Sequence, residues 1–397
     1  MSAIDTGGMF MVGVTGTNGK TSVTQWIAQA FAALGRKCAV IGTLGNGFPG
    51  ALVLGPNTTP GAAALRQLLP DLVMRGATAC AMEVSSIGLH QKRVDDIAFD
   101  VAVFTNFTRD HLDYHGTMDS YAAEKRKLFD LPGLKTAVVN LDDPFGEQLD
   151  AELAGRLRVI GYTLATKVSR GETLAARDLT TTATGIAFMV NGVRMAAPVI
   201  GRFNAANLLA VTGGLLAAGV TLEDIATTLP RLAPPPGRMQ AVGGIDAPLV
   251  VVDYAHTPDA LEKALATLAE LARTRGGKLV CVFGCGGGRS RDPGKRPLMG
   301  AIAEQLADSV LVTSDNPRDE RPEAIIADIL GGMRTRPAVE IDRARAIARA
   351  VREAAPRDVI LLAGKGHETY QEIAGARQPF ADLEQAKLAL AALEPRR

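Results

Sequence analysis

No apolar run in this chain reaches the roughly 18 residues that a bilayer-spanning helix needs, so no such helix is expected. Charge of one sign is not in excess: 43 Lys and Arg stand against 42 Asp and Glu, a formal net charge of +1. A nucleic-acid binder that works through a broad basic surface is therefore not expected. Cysteine is scarce. Cys38, Cys80, Cys281 and Cys285 are scattered, and no second pair or nearby histidine turns the last two into a zinc pattern. They read as free thiols of a reducing cytosol. The opening MSAIDTGGMF has no basic stretch followed by an apolar one, so no secretory leader is expected and the protein reads as cytoplasmic. Internal repeats, low-complexity tracts and long charged tails are also missing.

What the chain does have is core. Hydrophobic residues make up 47% of its 397 positions, enough for two or three ordinary domains. Short Val-rich runs alternate with helix-like stretches: CAVIGTL (38–44), ATACAMEVS (77–85), VAVFTNF (101–107), TAVVNLD (136–142), LVVVDYAH (249–256), KLVCVFG (278–284), SVLVTSD (309–315) and DVILLAG (358–364). These runs are continuous rather than alternating, which predicts strands buried on both faces of a parallel sheet with helices between them. The segment from about 165 to 197 differs. It is rich in Thr, Gly and Arg, and IAFMVNGVRM predicts a hairpin turning at Asn191-Gly192, a small antiparallel patch. Three prolines in LAPPPGRMQ (232–240) stop the preceding helix and mark a boundary. The expected architecture is α/β: residues 1–234 carry a mostly parallel sheet with the antiparallel patch, and residues 235–397 form a second, Rossmann-like α/β domain.

The string MVGVTGTNGKTSV (11–23) reads as a buried strand, a glycine turn and a helix opened by Lys-Thr. It misses the usual G-x-x-x-x-G-K-[ST] spacing by one position, since Val14 stands where the first glycine should be. The physics survives. Gly16 and Gly19 let the backbone amides from Gly16 through Thr21, Thr17 and Asn18 included, converge on phosphate oxygens. Lys20 adds a point charge, the Thr21 hydroxyl suits Mg²⁺, and the helix offers its positive end.

With TGTNGKT the chain resembles the Mur ligases, which join an amino acid to a growing carboxylate; the folate polyglutamate synthases share the fold and a related loop. Further strings, in family order, resemble the MurE type. By that resemblance LGPNTTPG (54–61) holds the muramoyl acceptor through Asn57, Thr58 and Thr59. In AMEVSSIGLHQKRVDD (81–96), a strand running into a loop, Glu83 is a Mg²⁺ ligand, and Ser85, Gln91 and Arg93 contact the acceptor. The family commonly has His where this chain has Ile87, and His90 stands nearby. In TNFTRDHLDYHG (105–116) His111 helps bind a second Mg²⁺. In YAAEKRKLF (121–129) the resemblance makes Lys125 a carbamate, an oxygen ligand where a free ammonium would repel the metal; on residue type alone Arg126 and Lys127 serve equally. In GRFNAANLLAV (201–211), of Asn204 and Asn207, Asn207 is expected at the adenine of ATP. Arg238 is expected near the ATP phosphates, and Asp253 and His256 on the nucleotide-facing loop, with Lys20 reaching ATP from the other domain.

The Gly-rich GCGGGRSRDPGKRPLMG (284–300) lacks the glycine spacing of a dinucleotide fingerprint and carries two residues more than the family's usual string, which aligns only from Arg291 onward. TSDNPRDERP (313–322) discriminates most. By resemblance, Asp315-Asn316-Pro317-Arg318 marks enzymes that add meso-diaminopimelate rather than lysine, because Arg318 can fork onto the second carboxylate. Arg291, Gly364 and Glu368 complete the implied pocket, with Glu368 taking the distal ammonium.

The resemblance implies an ATP-dependent, ADP-forming peptide ligase of peptidoglycan precursor synthesis, using ATP, two Mg²⁺ ions and a carbamylated lysine. The catalytic set would be Lys20, Glu83, His111, Lys125 and Arg238. Typical members carry a further N-terminal domain that grips the uridine nucleotide, whereas about a dozen residues precede the loop here. Three acceptor arrangements follow: a UDP-muramoyl dipeptide, the same acceptor with its grip supplied by a partner chain, or a nucleotide-free acceptor of a specialised pathway. A non-catalytic ATP-binding homologue is the remaining alternative. Neither nucleic acid nor membrane is an expected partner.

Overall fold

The Val-rich runs offer no polar face, and in the computed structural model, which describes residues 4–182, 185–244, 246–288 and 292–393, they become sheet interiors. The chain parts into two compact units, Met1–Ala233 and Pro234–Arg397.

In the first unit, β1 (Phe10–Thr15), β2 (Cys38–Gly42), β3 (Gly45–Phe48), β4 (Ala51–Val53), β5 (Ala79–Glu83), β6 (Val101–Phe104), β7 (Thr136–Asn140), β8 (Arg158–Thr163) and β9 (Glu172–Ala175) form one sheet. Their order is β4-β3-β2-β5-β1-β6-β7-β8-β9. Pairing is parallel from β2 to β9, as expected of runs separated by helices. The β2–β3–β4 edge is antiparallel, which the run CAVIGTL did not foretell: the strand stops at Gly42 and the chain turns straight back. Period-two alternation sends Val12 and Val14 into a core with Trp26, Phe31 and Leu208, and Met11 into the opposite one with Leu65, Leu69 and Leu149. The expected antiparallel patch is β10 (Arg177–Thr181), β11 (Ile186–Val190) and β12 (Val193–Ala197). Its two-residue turn has φ of 47° at Asn191 and 83° at Gly192, the left-handed backbone that a tight hairpin requires.

In the second unit, β13 (Gln240–Gly243), β14 (Leu249–Asp253), β15 (Leu279–Phe283), β16 (Ser309–Val312), β17 (Ala338–Val339) and β18 (Val359–Ala363) order as β13-β14-β18-β15-β16-β17. Only β13 pairs antiparallel among these. A hairpin, β19 (Tyr370–Ile373) and β20 (Ala376–Pro379), follows.

Register decides what meets. β1 lies between β5 and β6, with Val14 opposite Glu83 and Thr15 opposite Phe104. The glycine loop, Glu83 and the segment after Phe104 therefore leave the sheet side by side at carboxyl ends, where open α/β sheets bind ligands. In the second unit Ala363 lies opposite both Asp253 and Phe283, and Phe283 opposite Val312, so four strand ends converge there too. All four cysteines are buried and free. Among the described residues no helix is long and apolar enough to cross a membrane.

Candidate active site

The loop Gly16–Gly19 links β1 to the helix Lys20–Ala33, which starts without a side-chain cap, so its first amides face the loop. Gly16 has φ 143°, and a Cβ there would fall 1.9 Å from Thr105 Oγ1. Gly19 has φ 87°, and its Cβ would fall 2.5 Å from Asn207 Oδ1. Only glycine fits either position. The segment after β6 braces the loop: Thr105 Oγ1 donates to Asn18 O at 2.6 Å, Asn106 Oδ1 accepts from Asn18 N at 2.9 Å, and Asn106 O accepts from Thr17 N at 2.8 Å. Thr17 Oγ1 shares a hydrogen bond with Tyr121 Oη at 3.2 Å. Lys20 Nζ curls back to donate to Gly16 O and Thr17 O, both at 2.9 Å, which holds its charge inside the loop.

Glu83 ends β5 almost completely buried. Its Oε2 accepts from Thr21 Oγ1 at 3.0 Å and from Thr43 Oγ1 at 3.1 Å, and its Oε1 accepts from Thr43 N at 2.9 Å. Sequence reasoning missed Thr43, which carries no signal beyond following β2. Thr43 also shares a hydrogen bond with Thr58 Oγ1 at 3.0 Å. Thr59 Oγ1 donates to Glu83 O and accepts from Ser85 N, while Arg93 Nη1 donates to Thr59 O at 2.6 Å. Gln91 Oε1 accepts from Arg93. Thr58, Thr59, Ser85, Gln91 and Arg93 thus form one network around Glu83, and Asn57 stands exposed beyond it. Ser85 caps a short helix, Ser86–His90, that the sequence reading treated as loop. On that helix Ile87 is half-buried, and His90 is engaged by Tyr114 Oη at 2.9 Å.

His111 has φ 52° and precedes the turn Leu112–His115. Burial pulls its pKa down, Lys20 and Lys125 add to that, and Asp110 opposes it. The fold separates three basic neighbours that the sequence could not. Arg126 pairs with Glu152 and Asp130, and Lys127 pairs with Glu124 at the surface. Lys125 is 1% exposed and donates to Gly16 O at 2.8 Å, the carbonyl that Lys20 also uses. Burial, then the charge of Lys20, drives the Lys125 pKa well below the ordinary lysine range, with Asp110 opposing. Asn207, buried against Gly19, is steadied by Asn204 Oδ1 at 2.9 Å.

In the second unit the Arg238 guanidinium lies 4.6 Å from the centre of the Tyr254 ring. Asp253 accepts from Met239 N at 2.8 Å; burial raises its pKa, and Arg238 opposes the rise. His256 bonds Tyr254 O through Nδ1 at 2.8 Å. A pocket beside them is lined by Tyr254, His256, Lys295, Asn316, Arg318 and Glu368, with Asp315, Gly286 and Gly364. Asn316 Nδ2 donates to Glu368 Oε2 at 2.7 Å. Arg318, at φ 52°, donates to Gly287 O at 2.8 Å. Gly364 has φ 113°, and a Cβ there would press on Asp315 Oδ2 at 2.9 Å. Arg291 lies outside the described residues. Lys365, which follows Gly364 and was not among the residues singled out in the sequence, is fully buried against this set.

Among the described residues no group of three His, Cys, Asp or Glu forms a ready metal cage. A single carboxylate flanked by Thr21 and Thr43 hydroxyls still fits Mg²⁺, which keeps several waters and takes phosphate oxygens rather than a closed protein shell. Nearly all the positions picked out in the first unit thus share one network, and in the second unit His256, Asp315, Asn316, Arg318, Gly364 and Glu368 line one pocket, with Arg238 against the Tyr254 ring that also lines it.

Two family models match: the Mur ligase middle domain over residues 14–215, and the Mur ligase, glutamate ligase domain over residues 237–366. The chain is 54% identical over 388 residues to the UDP-N-acetylmuramoyl-L-alanyl-D-glutamate–2,6-diaminopimelate ligase of Chromobacterium violaceum, covering 96% of this chain and 77% of that one. It is likewise 54% identical to the ligase of that name from Pseudomonas aeruginosa, covering 98% and 79%. A solved structure under the same name superposes with a TM-score of 0.68 at 39% identity, over 97% of this chain and 78% of that one. Folylpolyglutamate synthase of Mycobacterium tuberculosis, at 19% identity, a TM-score of 0.71 and coverage of 98% and 92%, shares the fold. With both domain models matched and half of all residues identical to these relatives across nearly its whole length, the chain belongs to the Mur ligase family.

Proposed function

We propose that this chain joins meso-diaminopimelate to the terminal carboxylate of a UDP-N-acetylmuramoyl-L-alanyl-D-glutamate-type acceptor, converting ATP to ADP and phosphate, in peptidoglycan precursor synthesis. The observation that carries the reading is the turn Asp315–Arg318, whose Asn316 is bonded to Glu368 in a pocket that also holds Arg318 and Gly364. That pocket pairs a guanidinium with carboxylates, as an amino acid with a second carboxylate and a second amine requires. The names and identities of the relatives support the same substrate.

The chemistry runs in two steps. An acceptor carboxylate oxygen attacks the γ-phosphorus of ATP, the bond to the ADP oxygen breaks, and an acyl phosphate forms. The amine nitrogen of diaminopimelate then attacks the acyl carbon, gives up a proton, and phosphate leaves as the amide forms. The loop amides of Gly16–Thr21 and the Lys20 ammonium hold phosphate oxygens, and Arg238 adds positive charge as the phosphoryl group transfers. Asn207, Asp253 and His256 bind the nucleotide. Thr58, Thr59, Ser85, Gln91, Arg93 and the outlying Asn57 hold the acceptor, and Arg318 with Glu368 grips the far end of diaminopimelate, beside Arg291. Thr21 and Glu83 would hold one Mg²⁺, and His111 with Lys125 as its carbamate a second; when bound, these ions supply positive charge to the transferring phosphoryl group. The depressed pKa of Lys125 supports this, because the neutral amine is the form that takes up CO₂. The reaction belongs in the cytoplasm, where ATP is.

The test is phosphate release over a matrix of acceptors (UDP-muramoyl dipeptide, free γ-glutamyl peptide) and amines (meso-diaminopimelate, L-lysine). Release that needs both the UDP-linked acceptor and diaminopimelate is expected. Release with free peptides alone overturns the acceptor, and ATP turnover indifferent to both partners overturns the ligase.

A further inference from the structure

Lys365 directly follows Gly364 at the end of β18 and is 0% exposed. A buried ammonium needs partners, and this one has a specific set. Its Nζ donates to Asn316 Oδ1 at 3.0 Å and to Glu368 Oε2 at 3.2 Å, and lies 3.6 Å from Asp315 Oδ1. The rings of Tyr370 and Phe380 flank it at 5.7 and 6.0 Å. Asn316 is held from both ends: its Oδ1 takes Lys365 and the backbone N of Glu372, and its Nδ2 gives to Glu368. Asp315 Oδ1 is buried and makes no hydrogen bond among the described residues, so the Lys365 charge is its counterweight.

The charge count in this pocket follows from that placement. Asp315 and Glu368 are two carboxylates sharing a buried site, and the Lys365 ammonium lies between them. Two carboxylates and one ammonium sum to one net negative charge; burial and the Asp315 charge raise the Glu368 pKa, and Lys365 opposes that rise. Arg318 and Lys295, which also line the pocket, supply positive charge. A ligand end carrying both an ammonium and a carboxylate matches the net negative set on one side and the cationic side chains on the other. A ligand end carrying only an ammonium offers Arg318 nothing beyond Gly287 O and the Glu372 carboxylate at 4.0 Å.

We infer that Lys365 is a positioning and specificity-determining residue: its ammonium locks Asn316 to Glu368 and sets the pocket charge so that an amino acid with a zwitterionic far end is taken over one ending in a lone ammonium. This rests on the amino-acid pocket proposed above. Removing the cation leaves excess negative charge, which favours the lone ammonium.

The experiment compares kcat/KM for meso-diaminopimelate and L-lysine, by amine-dependent phosphate release, in wild type, Lys365→Met and Lys365→Arg, with thermal unfolding of each. Lys365→Met is expected to lower the preference for diaminopimelate by about tenfold or more, the size of one charge-assisted hydrogen bond, chiefly through KM. Lys365→Arg is expected to restore much of it. A lowered melting temperature with an unchanged preference overturns the inference and leaves Lys365 a scaffold residue. Should Lys365→Met not fold, Lys365→Gln, which keeps a donor and loses the charge, is judged by the same ratio; failure of both to fold also assigns the residue to the scaffold. Wild-type protein that releases no phosphate with diaminopimelate overturns the assigned reaction itself, a result distinct from any failure of the variants.

Discussion

Replacing Gly16 by alanine tests the phosphate loop at the atom where the geometry is tightest. Two separate costs arise. The first is backbone: φ is 143°, a conformation that L-residues avoid, and holding a side chain there costs about 1–3 kcal/mol. The second is steric. The new methyl would sit 1.9 Å from Thr105 Oγ1, so the hydroxyl has to leave its bond to Asn18 O, and losing buried partners of that kind costs about 1–3 kcal/mol. Together these take roughly 2–6 kcal/mol from a domain whose whole stability is about 5–15 kcal/mol. Gly16→Ala should therefore melt several degrees lower and lose most of its ATP affinity, read by calorimetric titration. The double variant Gly16→Ala/Thr105→Ala removes the collision but not the φ cost, so it should lose less than the two single changes added together. Strict additivity, or a Gly16→Ala protein with wild-type melting and ATP binding, would falsify the assignment of this loop as a glycine-dependent cradle.

Thr43→Val removes the hydroxyl that donates to Glu83 Oε2 at 3.1 Å, a bond to a charged group worth about 1.5–3 kcal/mol. Activity should then need a markedly higher Mg²⁺ concentration for half-saturation, and an unchanged Mg²⁺ titration would remove Thr43 from the site. His367 is pushed down to about 4, first by burial and then by the Arg238 charge. Its folded pKa lies below its unfolded one, so its contribution is full above about pH 6.5 and is lost as pH falls toward 4, by up to about 3 kcal/mol. Denaturant unfolding of His367→Gln across that window should show a shallower pH slope than wild type; equal slopes would contradict the burial argument. Arg343 and Asp382 are paired at 2.7 Å with neither side chain exposed, and Arg343 also donates to Ser314 O and Ala363 O, the residues preceding Asp315 and Gly364 of the pocket. Arg343→Met strands a buried carboxylate and should cost about 3–5 kcal/mol, whereas Arg343→Met/Asp382→Leu should recover much of it in urea unfolding.

Much of the sheet was readable in advance, because a strand buried on both faces has to be a continuous apolar run, and Val12–Val14, Val101–Phe104 and Leu249–Val252 are such runs. The edge hairpin β3–β4 was not. Its residues Gly45, Asn46, Gly47 and Ala51 carry neither alternation nor a buried run, and pairing alone makes them strands. The phosphate loop was legible through its glycines and Lys-Thr, since the turn they permit is local.

Which residues meet at the sites was decided elsewhere. YAAEKRKLF offers Lys125, Arg126 and Lys127 as equals, and only the packing of their helix against the loop buries Lys125 beside Gly16 O and leaves the others paired at the surface. Thr43 and Lys365 had no distinguishing pattern, and their surroundings come from strand register, which brings β2 to β5, β18 to β15, and β15 to β16. Turns, strand runs and helix starts follow from the conformational preferences of a few neighbouring residues, so chain chemistry alone specified them. Burial, charge neighbours and hydrogen-bond partners depend on residues tens to hundreds of positions away, so only the folded arrangement could assign them.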